Sequence, residues 1–255
     1  MMKNILITGG CGFIGSHTCL SLLEQDFNLI VFDSNINSKS IVIRKIIEIG
    51  KLKKKEFDDR LSFINGDIRD FSVLENVFLN SINNKKPIDA VIHFAGLKSV
   101  EESVKDPLLY WDNNLSGSIT LLKVMQKFDC KNIVFSSSAT VYGVTSQLIT
   151  ENAEIKPFNT YGRTKFAIET ILRELYESSS NKWRIANLRY FNPIGAHETG
   201  LIGENPSNLP NNLFPYICKV ANRNLEKLNI FGNDWNTLDG TCIRDYIHVM
   251  DLAEA

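Results

Sequence analysis

No two of the five cysteines (Cys11, Cys19, Cys130, Cys218, Cys242) form a CxxC pair, and their number is odd. That pattern indicates neither a zinc module nor a disulfide framework. Histidine is scarce too: His17, His93, His197 and His248 lack the spacing of metal ligands, so no metal site is expected. A formal charge of −1 leaves no electrostatic footprint for nucleic acid or an anionic membrane surface. No apolar run approaches the ~18–20 residues needed to span a bilayer. Only Met1 and Met2 precede Lys3 before "NILIT" opens a core strand, so no cleavable signal is expected. These absences predict a reduced, aqueous setting, the cytoplasm, with no nucleic-acid or membrane partner.

What the sequence does have is alternation. Apolar runs at 4–8, 28–32, 61–66, 89–95, 132–138 and 184–191 are separated by longer amphipathic stretches at 13–25, 38–50, 71–79, 108–128 and 161–176. Apolar strands without polar alternation suit a parallel sheet covered on both faces. Strands and helices taking turns imply right-handed crossovers, hence an α/β, doubly wound parallel sheet of the Rossmann type. The charge run "KLKKKEFDDR" (51–60) is expected to be a solvated loop. After Pro193 the alternation stops and Gly, Pro and Asn dominate through Asn212, as in long loops that cover a site.

"NILITGGCGFIGSH" puts Gly9, Gly10, Gly12 and Gly15 between the first strand and the first helix. Such glycines permit a tight turn, let backbone approach a pyrophosphate, and let helix pack on strand. The helix N-terminus then faces the phosphates with its partial positive charge. Asp33, 18 residues after Gly15 at the end of the second strand, suits the adenosine ribose hydroxyls and would repel a 2′-phosphate, favouring NAD over NADP. Asp67 in "GDIRD" suits either the adenine or a helix N-cap. The small residues after Phe94, Ala95 and Gly96, would let a cofactor approach the fourth strand.

"NTYGRTK" (159–165) opens the helix after a strand ending in Ser136-Ser137-Ser138. Spacing alone is close to what chance supplies. Context decides, because ligands of an open parallel sheet lie beyond the carboxyl ends of its strands. Tyr161 and Lys165 share one helix face, with β-carbons roughly 5–6 Å apart. An ammonium about 5 Å from a phenol contributes about 3 kcal/mol at an effective dielectric of 20. That is enough to lower a phenol pKa of about 10 by about two.

With these residues in view, the chain resembles the extended short-chain dehydrogenase/reductase family, and within it the UDP-glucose 4-epimerase (UDP-galactose 4-epimerase) family. The resemblance rests on the glycine turn, Ser138 and Tyr161-x-x-x-Lys165. It is strengthened by "HFAGLKSVEESVKDPLLYWDNN" (93–114), "FSSSATVYG" (135–143), "LRYFNPIGAH" (188–197), "PNNLFPYI" (210–217), "IFGND" (230–234) and "DGTCIRDYIHVMDLA" (239–253). It implies that Gly9, Gly12, Phe13, Ile14, Gly15, Asp33, Asp67, Ile68, Phe94, Ala95, Gly96, Lys98 and Asn113 line an NAD site, with Tyr190 and Phe191 near the nicotinamide. Asn192, Asn212 and Leu213 would contact a nucleotide sugar, with Asn229 and Phe231 near the uracil and Arg244 on the diphosphate. The implied reaction is epimerisation at C4 of UDP-hexoses, UDP-galactose to UDP-glucose. It runs through a 4-keto sugar, with hydride returned to the opposite face and Tyr161, Ser138 and Lys165 catalytic. A homodimer is expected.

Residues 1–192 are expected to form the NAD-binding domain and 193–255 part of a smaller, incomplete substrate-binding region, because the family continues past "VMDLAEA". Two alternatives stay open: a nucleotide-sugar 4,6-dehydratase, and a catalytically impaired, truncated NAD-binding fragment. The dehydratase needs an Asp-Glu pair after the catalytic serine, where this chain has Ala139-Thr140-Val141.

Overall fold

The computed structural model describes residues 2–144, 148–178, 182–205, 212–230 and 232–255. Six parallel strands form one sheet: β1 (Asn4–Thr8), β2 (Asn28–Asp33), β3 (Leu61–Asn65), β4 (Ala90–His93), β5 (Asn132–Ser138) and β6 (Arg184–Tyr190). Their order, β3-β2-β1-β4-β5-β6, reverses direction at β1, so a crevice opens there between the β1 and β4 ends. The expected doubly wound α/β fold is the one observed.

Alternation along β1 divides the core. Ile5 and Ile7 pack with Leu20 and Leu23 of α1 (Phe13–Glu24) and with Ile43 and Ile46 of α2 (Ile41–Leu52). Leu6 faces the other way, into a cluster holding Leu74, Val77 and Phe78 of α3 (Phe71–Asn83). Fully burying each such side chain is worth about 1.5–3 kcal/mol, so a one-residue slip of β1 would be heavily penalised.

Three expectations change. The charge run is not a solvated loop throughout: α2 continues to Leu52, Phe57 is buried in the α1/α2 core, and Lys53 pairs with Glu24 at 2.7 Å. Asp70, not Asp67, caps α3, accepting from the amides of Ser72 and Val73. The third concerns the stretch 108–128, which is not one regular helix. After α4 (Val100–Lys105) and α5 (Pro107–Tyr110), the chain makes a π-helical turn over Trp111–Ser116 before α6 (Gly117–Lys127).

The remaining helix on the α3 side is α7 (Thr160–Ser178). Beyond β6, β7 (Asn192–Ile194) pairs in parallel with β8 (Tyr246–His248), enclosing α8 (Leu213–Ala221) in the intervening connection. α9 (Val249–Glu254) then packs against α1, burying Val249 and Leu252. No helix among the described residues is long and apolar enough to cross a membrane.

Candidate active site

The glycine turn lies between β1 and α1, hard against the end of β4. Gly9 has φ +70°, and a Cβ there would stand 2.5 Å from the amide nitrogen of Ala95. A Cβ on Gly15 would stand 2.5 Å from the carbonyl of Gly9. The cradle is therefore closed to side chains and lined by backbone. At its mouth α1 begins at extended Gly12 with no side-chain cap and no acidic residue in its first turn. The uncapped amides and the helix dipole leave a place suited to a diphosphate.

Asp33 is buried at the tip of β2 beside this turn. Its Oδ2 accepts from the Cys11 amide at 2.9 Å, and its Oδ1 from the Asn35 amide (2.9 Å) and the Ser38 hydroxyl (2.8 Å). Three donors fix the carboxylate and still leave a lone pair for a ribose hydroxyl. These features fit a dinucleotide.

The second half of the site is built where β5 meets α7. Asn159 opens α7 by accepting from the Gly162 amide at 2.8 Å. A Cβ on Gly162 would come within 2.9 Å of the Thr140 carbonyl, so the start of α7 sits close on the turn after β5. Lys165, nearly buried, donates to the Ser136 carbonyl at 2.7 Å, and its ammonium stands 5.9 Å from the Tyr161 ring centre. Burial brings the Lys165 ammonium down to about 8, while the charge of Glu169 pulls it upward.

One expectation is corrected here. In this geometry the ammonium does not make Tyr161 acidic. Burial pushes the phenol above its ordinary value, and the facing Ser138 hydroxyl pulls it back. A Coulomb sum taken from helical spacing alone omits desolvation, which opposes it in a buried site.

The two halves meet through Gly96. A Cβ there would stand 3.2 Å from Asn114 Oδ1 and 3.8 Å from Lys165 Nζ. Asn114, on the π-helical turn, has no place among the residues expected from sequence, yet it joins three elements. Its side chain accepts from the Leu97 amide (2.8 Å), donates to the Leu97 carbonyl (3.0 Å) and donates to Thr164 of α7 (3.2 Å). The only sequence signal was its place beside Asn113 in "DNN". Beneath it His93 bridges Thr8 of β1 (2.7 Å) and Ser118 of α6 (2.8 Å), and burial holds the imidazole neutral, down to about 3.

Other expected residues fall around this edge with varied company. Phe13, Ile14, Phe94 and Ala95 are half-buried near the turn, Ile68 is buried against Gly117, and Asn113 is buried beside Asn114. Asp67 is held by Arg69 at 2.6 Å, and Arg69 also reaches Asp112 at 2.5 Å. Lys98 pairs with Glu204 at 3.1 Å. Tyr190 is level with Ser138 in the sheet, and burial pushes its phenol up. Phe191 is exposed next to it. Asn192 donates to the Asp245 carbonyl at 2.7 Å.

Asn212, Leu213, Asn229 and Arg244 are exposed on the segment beyond Pro193. Phe231 lies outside the described residues.

Residues 5–255 match the family model described as NAD dependent epimerase/dehydratase family. The chain belongs to that family. Within the NAD dependent epimerase/dehydratase family it is 50% identical over 255 residues to UDP-glucose 4-epimerase 2 of Arabidopsis thaliana, covering 100% of this chain and 70% of that protein. It is 49% identical over 252 residues to UDP-glucose 4-epimerase of Bacillus subtilis (strain 168), covering 98% and 70%. Among solved structures of family members, it superposes on UDP-glucose 4-epimerase from Bifidobacterium longum in complex with NAD+ and UDP. That superposition has a TM-score of 0.88 at 44% identity and covers 99% of this chain and 72% of that one.

Proposed function

We propose that the chain catalyses NAD-dependent epimerisation at C4 of a UDP-hexose, interconverting UDP-galactose and UDP-glucose. The observation that carries this reading is one sheet edge on which an uncapped, backbone-lined glycine turn and the Ser138–Tyr161–Lys165 group are joined through Gly96. Kinship with UDP-glucose 4-epimerases supplies the sugar.

In this reading residues 1–192 form the NAD-binding domain and 193–255 part of the substrate-binding region. Gly9, Gly12, Phe13, Ile14 and Gly15 hold the cofactor diphosphate. Asp33 takes the adenosine ribose, and Asp67 with Ile68 borders the adenine. Phe94, Ala95, Gly96, Lys98, Asn113, Tyr190 and Phe191 border the rest of the cofactor. NAD, when bound, accepts a hydride and gives it back.

The chain's own side chains do the rest. Tyr161 exchanges a proton with the sugar's 4-hydroxyl, Ser138 orients both hydroxyls, and Lys165 supplies positive charge beside the phenol. Asn192, Asn212, Leu213, Asn229 and Phe231 would hold the nucleotide, with Arg244 on its diphosphate. A firm grip on UDP and a loose one on the hexose would let the keto sugar turn over. The dehydratase reading lacks its acid, since Ala139-Thr140-Val141 forms the short turn after Ser138.

The purified chain incubated with UDP-galactose, without added NAD, should yield UDP-glucose. A 4-keto-6-deoxy sugar would make it a dehydratase, and no product despite bound NAD would make it a binding fragment.

We place the protein in the cytoplasm, in keeping with five cysteines that are all unpaired. We also propose a homodimer. A groove of about 440 Å³ between the π-helical turn and α7 is lined by Trp111, Leu115, Phe166 and Ile171. With Leu108 77% exposed beside it, this is an apolar face that a second copy would cover. Phe166→Glu should then sediment as a monomer where the parent sediments as a dimer; a parent that is itself monomeric ends the proposal.

A further inference from the structure

The three serines that end β5 each meet a different turn of α7. Ser138 faces Tyr161, the Ser136 carbonyl accepts from Lys165, and Ser137 donates to Glu169. Tyr161, Lys165 and Glu169 are spaced i, i+4, i+8, so they share one helix face. Glu169 is nearly buried, and its carboxylate is fully engaged. Arg189 of β6 grips it with a fork, Nε to Oε1 at 3.0 Å and Nη2 to Oε2 at 2.7 Å. The same guanidinium donates to the Tyr142 hydroxyl (2.8 Å) and the Glu151 carbonyl (3.2 Å), and lies over the Tyr142 ring.

A buried ion pair is weak evidence for stability, since apolar replacements often do as well. Its place here suggests another use. Glu169 lies one turn from Lys165, yet no ion pair within 4.0 Å joins them; the carboxylate is turned to Arg189 instead. Of the other titratable groups beside Lys165, His93 on β4 is kept neutral by burial and burial pushes the Tyr161 phenol up, so neither supplies a compensating negative charge.

Resting on the reaction proposed above, we propose that Glu169 and Arg189 are a positioning pair. Glu169 is the negative charge, one helical turn away, that keeps the buried Lys165 protonated. Arg189 holds that carboxylate back, so the ammonium stays on the Ser136 carbonyl beside Tyr161 rather than closing onto Glu169.

Lysine labelled at 13Cε in the full chain, with the Lys165 signal assigned from Lys165→Met, reads the titration directly and needs no substrate. Glu169→Gln should lower the Lys165 midpoint by about one to two pH units. Arg189→Met should raise it, because the carboxylate is then free to approach. In an active chain the alkaline limb of the kcat profile should follow in the same directions. Opposite signs are the signature. Midpoints that both stay put, or move together, overturn the proposal, and so does loss of folding by circular dichroism in both variants, which would make the pair a stability element. If the midpoints diverge while UDP-galactose is untouched, the positioning role stands and the proposed reaction falls.

Discussion

Tyr161→Phe should lower turnover of UDP-galactose by about 10³-fold or more while NAD stays bound. The phenol is the one hydroxyl on the α7 face that Ser138 meets and Lys165 adjoins, and removing a proton-transfer group costs about 10²–10⁴-fold. The ring itself is half-buried, and phenylalanine preserves its packing, so circular dichroism and melting should barely change. NAD retention is read from absorbance after gel filtration. Loss of NAD with the hydroxyl would reassign Tyr161 to cofactor binding. Unchanged turnover would remove it from the chemistry altogether.

Gly9→Ala should be the most damaging small change in the molecule. At φ +70° any L-residue is strained by about 1–2 kcal/mol. Here the new methyl also meets backbone: the Ala95 nitrogen at 2.5 Å, its Cα at 2.8 Å and the Phe94 carbonyl carbon at 2.8 Å. Backbone at the end of β4 cannot step aside as a flexible side chain would. We expect about 3 kcal/mol of lost stability, and a comparable loss in NAD binding would be about a hundredfold in Kd. Gly200 supplies the control. It has φ +67° with nothing within 4 Å of an added Cβ, so Gly200→Ala carries the strain without the collision and should cost only about 1 kcal/mol. Equal effects at the two positions, measured by denaturant unfolding and calorimetric titration with NAD, would dismiss the close approach of β1 and β4 as the cause.

The fold was legible because its signals are local and repeated. Short apolar runs such as "NILIT" and "NIVFSSS" need both faces covered, and the glycines after β1 need a tight turn. Strand β6 was less legible. "RIANLRYF" has the same apolar look, yet it is the edge strand of the sheet, with Ala186 and Asn187 exposed. Edge or centre is a property of the whole sheet, not of the segment. The same holds for the charge run at 51–60, where Phe57 reaches the core because α1 and α2 leave it a slot beside Gly50.

The candidate site divides similarly. Tyr161 and Lys165 follow from helical spacing, and Asp33 from its distance past the glycines. Asn114 and the Glu169–Arg189 pair depend on contacts between α7 and chain that is 50 and 20 residues away, respectively. The sign of the Tyr161 shift is not legible in the sequence for a related reason: burial, which dominates it, is not visible in spacing. Glu204, which holds Lys98 across 106 residues, lay beyond reach as well.

The packing of α9 on α1 bears on how the molecule is made. The flank of the helix that opens at the glycine turn is finished by Val249 and Leu252, which leave the ribosome long after α1 itself. During synthesis that flank stays uncovered until the chain has grown as far as Leu252.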